Sequence, residues 1–185
     1  MQKFEVAREQ LITALDLFLH DKSPVSVHSL AGNAREIIEE ESRKLQIKPF
    51  EDEIKERFPE MGNKIYSNVI NQYRNAFKHN NSDDAEVLSS FNDNHNDHML
   101  YIVIENYVRL TKKMTPEMQI FQLWYISTYK DKLNSVWETR NANFDSYFKH
   151  ILEKDRTTQK KFMLIELENM QNDIDFINDS RTEVA

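Results

Sequence analysis

Apolar residues recur every three to four positions from the start of the chain. Phe4, Ala7, Leu11, Ala14, Leu15 and Phe18 fall on one side of a predicted helix over 3–20. Ser23 followed by Pro24 is a cap-plus-proline start for a second helix over 24–45, whose stripe is Val27, Leu30, Ala34, Ile37, Ile38 and Leu45. Gly32, between Ala31 and Ala34, leaves room for a neighbouring helix. Pro49 and Pro59 bracket a short third helix with Phe50, Ile54 and Phe58 as apolar contacts. A fourth helix over 60–78 carries Ile65, Tyr66, Val69, Ile70, Tyr73 and Phe77. Ser82 can cap the next segment, with Asp83, Asp84 and Glu86 suited to the positive end of its dipole, and Asn92 to Asp97 reads as a break.

The stretch 97–113 is apolar on most sides and predicts a central helix. Thr115-Pro116-Glu117 opens another, carrying Ile120, Phe121, Leu123, Trp124, Tyr125 and Ile126. Asn141 to Asn143 reads as a turn, followed by an amphipathic helix on Phe144, Tyr147, Phe148, Ile151 and Leu152. The last helix, over 157–178, uses Phe162, Ile165, Leu167, Met170, Ile174 and Ile177, and the tail 179–185 is expected to fray. The pattern predicts an all-α bundle of seven to nine helices forming one domain over 1–178.

Composition sharpens this reading. Two glycines and four prolines among 185 residues are too few for many tight-turned strands. The absence of cysteine excludes disulfides, thiolate zinc sites and a cysteine nucleophile. A net charge of -7 suits non-specific nucleic-acid binding poorly, and no DNA partner is expected. The most apolar stretch, 99–110, contains Glu105 and Arg109 and is too short to span a bilayer. With no apolar core of a signal peptide at the start, a soluble, cytoplasmic protein is expected.

Candidate chemistry gathers in YRNAFKHNN, 73–81. An arginine can hold a phosphate through paired hydrogen bonds, and a histidine can move a proton near neutral pH. On a straight helix Arg74 and His79 are about 140° apart, so they cannot meet at one phosphate, whereas Asn75 and His79 share a face. Cooperation requires the helix to end at Lys78, with His79 curling back, or a second chain to complete the site. Arg74 to His79 resembles the R-x-x-x-x-H motif of HEPN domains, in which a polar residue, often Asn, follows the arginine. That resemblance implies a compact helical fold over 1–113 with 114–178 as additional helices, and a homodimer. It also implies RNA or a nucleotide as partner, with possible metal-independent RNA cleavage: Arg74 as phosphate clamp, His79 as acid–base and Asn75 as orienting residue. Some HEPN proteins have lost cleavage and bind nucleotides or partner proteins. PVSVHSLAGNAREI (24–37) and NAFKH (75–79) also resemble stretches of uncharacterised bacterial proteins of similar length.

Lys78, His28 and Arg35 are further ligand-binding candidates. His28 and Arg35 lie on nearly the same side of the second helix, as a second wall of that cleft or as a hydrogen-bonded histidine and an Arg35–Glu39 pair. Two other readings compete with the HEPN-like one. The first is a non-catalytic helical interaction module in which Arg74 and His79 are structural. The second is a metal or small-ligand site in NDNHNDH, where Asp93, His95, Asp97 and His98 cluster without standard spacing. Trp124, Tyr125 and Tyr129 read as core aromatics ahead of a base-stacking platform. No phosphate-binding glycine loop, G-x-S-x-G, H-E-x-x-H or Glu-x-x-His element occurs, and no cofactor is called for.

Overall fold

The computed structural model describes residues 2–79, 84–132 and 148–184. Nine α-helices fall among the described residues: α1 (Lys3–Leu19), α2 (Pro24–Lys44), α3 (Phe50–Arg57), α4 (Gly62–Lys78), α5 (Asp84–Ser90), α6 (His95–Thr111), α7 (Pro116–Tyr129), α8 (Arg156–Asn172) and α9 (Ile174–Ile177). The chain is an all-α bundle. None of the described helices is long and apolar enough to cross a membrane.

Side-chain oxygens start the helices where the sequence provides them. Ser23 Oγ accepts from the Ser26 amide, Thr115 Oγ1 from that of Met118, and an Asp155 carboxylate from that of Thr158. The scarcity of glycine shows at the helix ends. After α1, Lys22 N–H bonds Leu17 O and Asp21 N–H bonds Phe18 O; after α2, Ile47 and Gln46 bond Ser42 and Arg43 in the same way. Both are Schellman closures. Each requires a left-handed residue, and Asp21 (φ 53°) and Gln46 (φ 58°) take the place where glycine is favoured.

α2 is the hub, packing on α1, α6 and α4. From Met99 to Tyr107 α6 is buried without interruption, Glu105 and Asn106 included. Phe18, Phe121 and Trp124 form the aromatic centre, with Phe18–Phe121 centroids 5.2 Å apart, and Tyr101 stacks on Tyr125 at 4.0 Å. The Trp124–Tyr125–Tyr129 group is thus packed against α6 and α1.

Several expectations give way. Phe58, Val69 and Ile165, placed in apolar stripes by periodicity, are 46%, 52% and 57% exposed. In α3 the buried side chain is instead Glu51, because Asn106 donates to its carboxylate at 2.6 Å while accepting from the Phe50 amide at 2.7 Å. The final helix breaks at Asp173, whose carboxylate caps the short α9. The tail does not fray over 179–184. Met114 and Thr182 form a parallel bridge, and Glu183 accepts from Arg8 Nε at 2.5 Å and from the Tyr107 hydroxyl at 2.6 Å. The cap at Ser82, the turn at 141–143 and the apolar positions 144 and 147 lie outside the described residues.

Candidate functional site

α4 is positioned by one apolar face. Tyr66, Tyr73 and Ala76 are buried, and Phe77 stands edge-on to His28 and Phe91. Arg74 lies on the flank of that face turned toward α2. Its side chain crosses Gly32 so closely that a Cβ there would stand 3.0 Å from Arg74 Cδ. The guanidinium then binds α2 itself. Nε and Nη2 donate to Asn33 Oδ1 at 3.2 and 3.0 Å, and Nη1 pairs with Glu36. Gly32 therefore permits the approach, and Asn33 and Glu36 fix its geometry.

One turn away along the same seam sits Arg35, 5% exposed. It donates to Glu39 at 3.1 Å, to Glu51 at 3.5 Å and to Asn71 of α4 at 2.9 Å. Arg35 and Arg74 thus both cross between α2 and α4, each held by an asparagine, Arg35 by two glutamates as well and Arg74 by one. Burial drives the Glu51 carboxyl above its ordinary range, against the opposing hydrogen bond from Asn106 and the charge of Arg35.

The other end of the motif behaves differently. α4 closes at Lys78, but the His79 N–H still bonds Asn75 O at 3.0 Å, so His79 continues the helical path rather than curling back. Asn75, Lys78 and His79 are exposed, and none makes a side-chain bond among the described residues. Within one chain, then, Arg74 lies against α2 while His79 stands just past the end of α4, on its opposite flank.

His28 is neither part of that end nor exposed. At 3% exposure it lies among Tyr73, Phe77 and Phe91, with Nδ1 3.1 Å from Asn96 Oδ1. An amide oxygen only accepts, so Nδ1 carries the hydrogen and Nε2 is bare; Nε2 has no partner among the described residues. Burial pushes the imidazole down to about 4, although the Asn96 contact acts the other way. Tyr73 adds a second link to the same segment, its hydroxyl 2.9 Å from His95 Nε2.

The remaining carboxylates of 92–98 face cations. Arg156 Nε and Lys160 Nζ both reach Asp93 Oδ2 at 2.5 Å, and Arg156 Nη2 reaches Asp97 Oδ1 at 2.5 Å. Burial would raise Asp93, but the bonds from Lys160 and Arg156 outweigh it and hold the carboxyl low. Asp97, fully buried, is raised by desolvation despite Arg156. His98 Nδ1 lies 2.8 Å from the Tyr125 hydroxyl. Among the described residues no three His, Cys, Asp or Glu side chains are grouped to hold a metal ion.

Sequence spacing places Arg74 on α4, and Arg35 and His28 on α2, but misses their partners. Asn33, Asn71 and Asn96 bind residues 41, 36 and 68 positions away, at separations no helical period encodes. The one local trace is Gly32, a glycine in a helix interior. Comparison of the chain with protein-family models, with curated proteins and with solved structures finds no match.

Proposed function

We propose that the chain is a HEPN-like protein acting on RNA or a nucleotide at the end of α4, completed by a second copy. The observation that carries the reading is a guanidinium held in fixed orientation about one turn before the end of α4. Three of the five N–H donors of Arg74 are used by Asn33 and Glu36, which leaves two for a phosphate. Asn75 and His79 stand exposed on the adjoining turn. In this reading Arg74 clamps the phosphate and Asn75 orients it. His79 takes the proton from a ribose 2′-hydroxyl or returns one to the leaving oxygen, with no metal required. Because Arg74 and His79 occupy opposite flanks of α4, His79 of one copy serves Arg74 of the other.

The test is RNA cleavage in EDTA. Arg74→Ala and His79→Ala each lower the rate by about 10²-fold or more, the scale of one general acid–base group. An equimolar mixture of the two variants recovers part of the activity, because mixed dimers hold one intact site. Equal rates in wild type and both variants end the cleavage reading. Full loss without recovery on mixing ends the two-copy arrangement.

One observation favours a second reading, the non-catalytic interaction module. Glu36 pairs with the Arg74 guanidinium, and a carboxylate beside it repels an anion. In that case Arg74→Ala lowers stability and removes no activity.

A further inference from the structure

A groove of about 530 Å³ opens between α1, α7 and α8, away from the α2–α4 seam. Its floor is apolar: Ile12 and Leu19 from α1, Leu164 and Leu167 from α8. Its rim is anionic, with Asp16, Glu117 and Glu168 around that floor. No lysine or arginine lines it. Nor do these carboxylates pair with a lysine or arginine among the described residues. Asp16 touches His20 at 3.1 Å, and Glu117 accepts from Gln171 at 3.1 Å. The two helices that end beside the groove add to the field. Neither α1 nor α8 has a basic residue in its last turn, so the negative ends of both dipoles lack a compensating side-chain cation.

These carboxylates surround the apolar floor rather than converge, and among the described residues no group of three is placed to hold a metal ion. A complementary occupant is apolar along its centre and cationic along both edges. We infer that the groove is the docking site for a cationic amphipathic helix of a partner protein, its leucine-like ridge on the floor and its lysines or arginines against Asp16, Glu117 and Glu168. Electrostatic complementarity of this kind sets register and association rate, while the floor supplies the desolvated contact.

The probe is a synthetic amphipathic helix of leucine and lysine, titrated into the full chain, with hydrogen exchange to locate the contact. Binding protects the C-terminal half of α1 and residues 164–171. Glu117→Lys with Glu168→Lys weakens it by about tenfold. The control, Glu60→Lys with Glu86→Lys, makes the same change in net charge on elements that do not line the groove and shifts binding less than about twofold. Leu164→Gln, which keeps the charge, weakens binding as well. Four results overturn the inference: equal weakening by both charge pairs, protection elsewhere, equal protection by spermine alone, or a changed sedimentation mass of the free Glu117→Lys/Glu168→Lys chain. The last would make a second copy the occupant.

Discussion

At the scale of single residues, Gly32 and Arg74 form one unit. Alanine in place of a glycine inside a helix is ordinarily worth about 1 kcal/mol of stability. Here the new methyl would press on Arg74 Cδ, and the guanidinium beyond it is pinned by Asn33 and Glu36. Gly32→Ala is therefore expected to gain nothing in the wild-type chain. In an Arg74→Ala background it gains about 1 kcal/mol, the full propensity term. Urea denaturation of the four chains of this cycle measures the coupling. His28 carries a second residue-scale expectation. Its folded pKa is about 4, below the ordinary 6.5, so the folded state resists the proton that the unfolded chain accepts. Stability is intact above pH 6.5, falls as pH drops toward 4, and falls no further from this source below that. The 6.5-to-4 interval corresponds to about 3 kcal/mol. Glu51 and Asp97 are raised and act with the opposite sign. The measurement is thus a difference: His28→Gln is expected to show a shallower acid-side loss than wild type over that interval. Parallel curves would refute it.

Elements were legible to the extent that their ends and periods are local. Ser23-Pro24 and Thr115-Pro116 mark starts by capping chemistry within a few residues, and α2 and α7 begin there. The break before α6 follows from the Asn-Asp run, though the helix begins at His95 rather than 97. Burial was harder to read, because a period gives a face and not what covers it. Val69 lies on the apolar side of α4 and still meets solvent, while Ile165 turns away from the face that Lys160, Met163 and Leu167 bury. Glu51 and Lys160, charged and unremarked by any stripe, are 0% and 1% exposed because Asn106, Asp21 and Asp93 satisfy them. The Schellman closures allow an element-scale test. Gln46→Gly relieves a left-handed non-glycine residue with no side-chain bond among the described residues, and is expected to stabilise by roughly 0.5–1 kcal/mol. Asp21 has the same backbone but holds Lys160 at 2.8 Å and Thr157 at 2.7 Å. Asp21→Gly removes a partner from a buried ammonium and is expected to destabilise. Thermal melts of the two variants should move in opposite directions.

At the scale of the molecule, the candidate site sits where periodicity is least informative. Arg74 is readable as a motif residue, yet whether it faces solvent or a neighbour depends on Asn33, across a helix packing that spacing does not specify. The all-α architecture was legible because glycine scarcity, capping and period agree. The docked tail was not, since its contacts join residues 8 and 183 and residues 114 and 182. Removing 179–185 strips partners from Arg8, from the Tyr107 hydroxyl and from the Met114 backbone. The loss is expected to be about 2 kcal/mol, discounted because Arg8 and Glu183 are partly solvated. Faster amide exchange in the first turns of α1 and near Met114 would accompany it; unchanged exchange would show that the tail bears no load.

The Arg8–Glu183 clasp also governs the order of events during synthesis. Residue 183 is synthesised after α1 and α6, so both helices emerge before the carboxylate that joins them. Until then the nascent bundle holds Arg8 and Tyr107 facing an unfilled position. Among the described residues the clasp closes the longest loop through side chains, and closing it needs a body already folded to receive it. Glu183 therefore acts as a latch between α1 and α6: a chain cut short of it folds its centre but leaves α1 loosely tied, open to proteases that the latched chain resists.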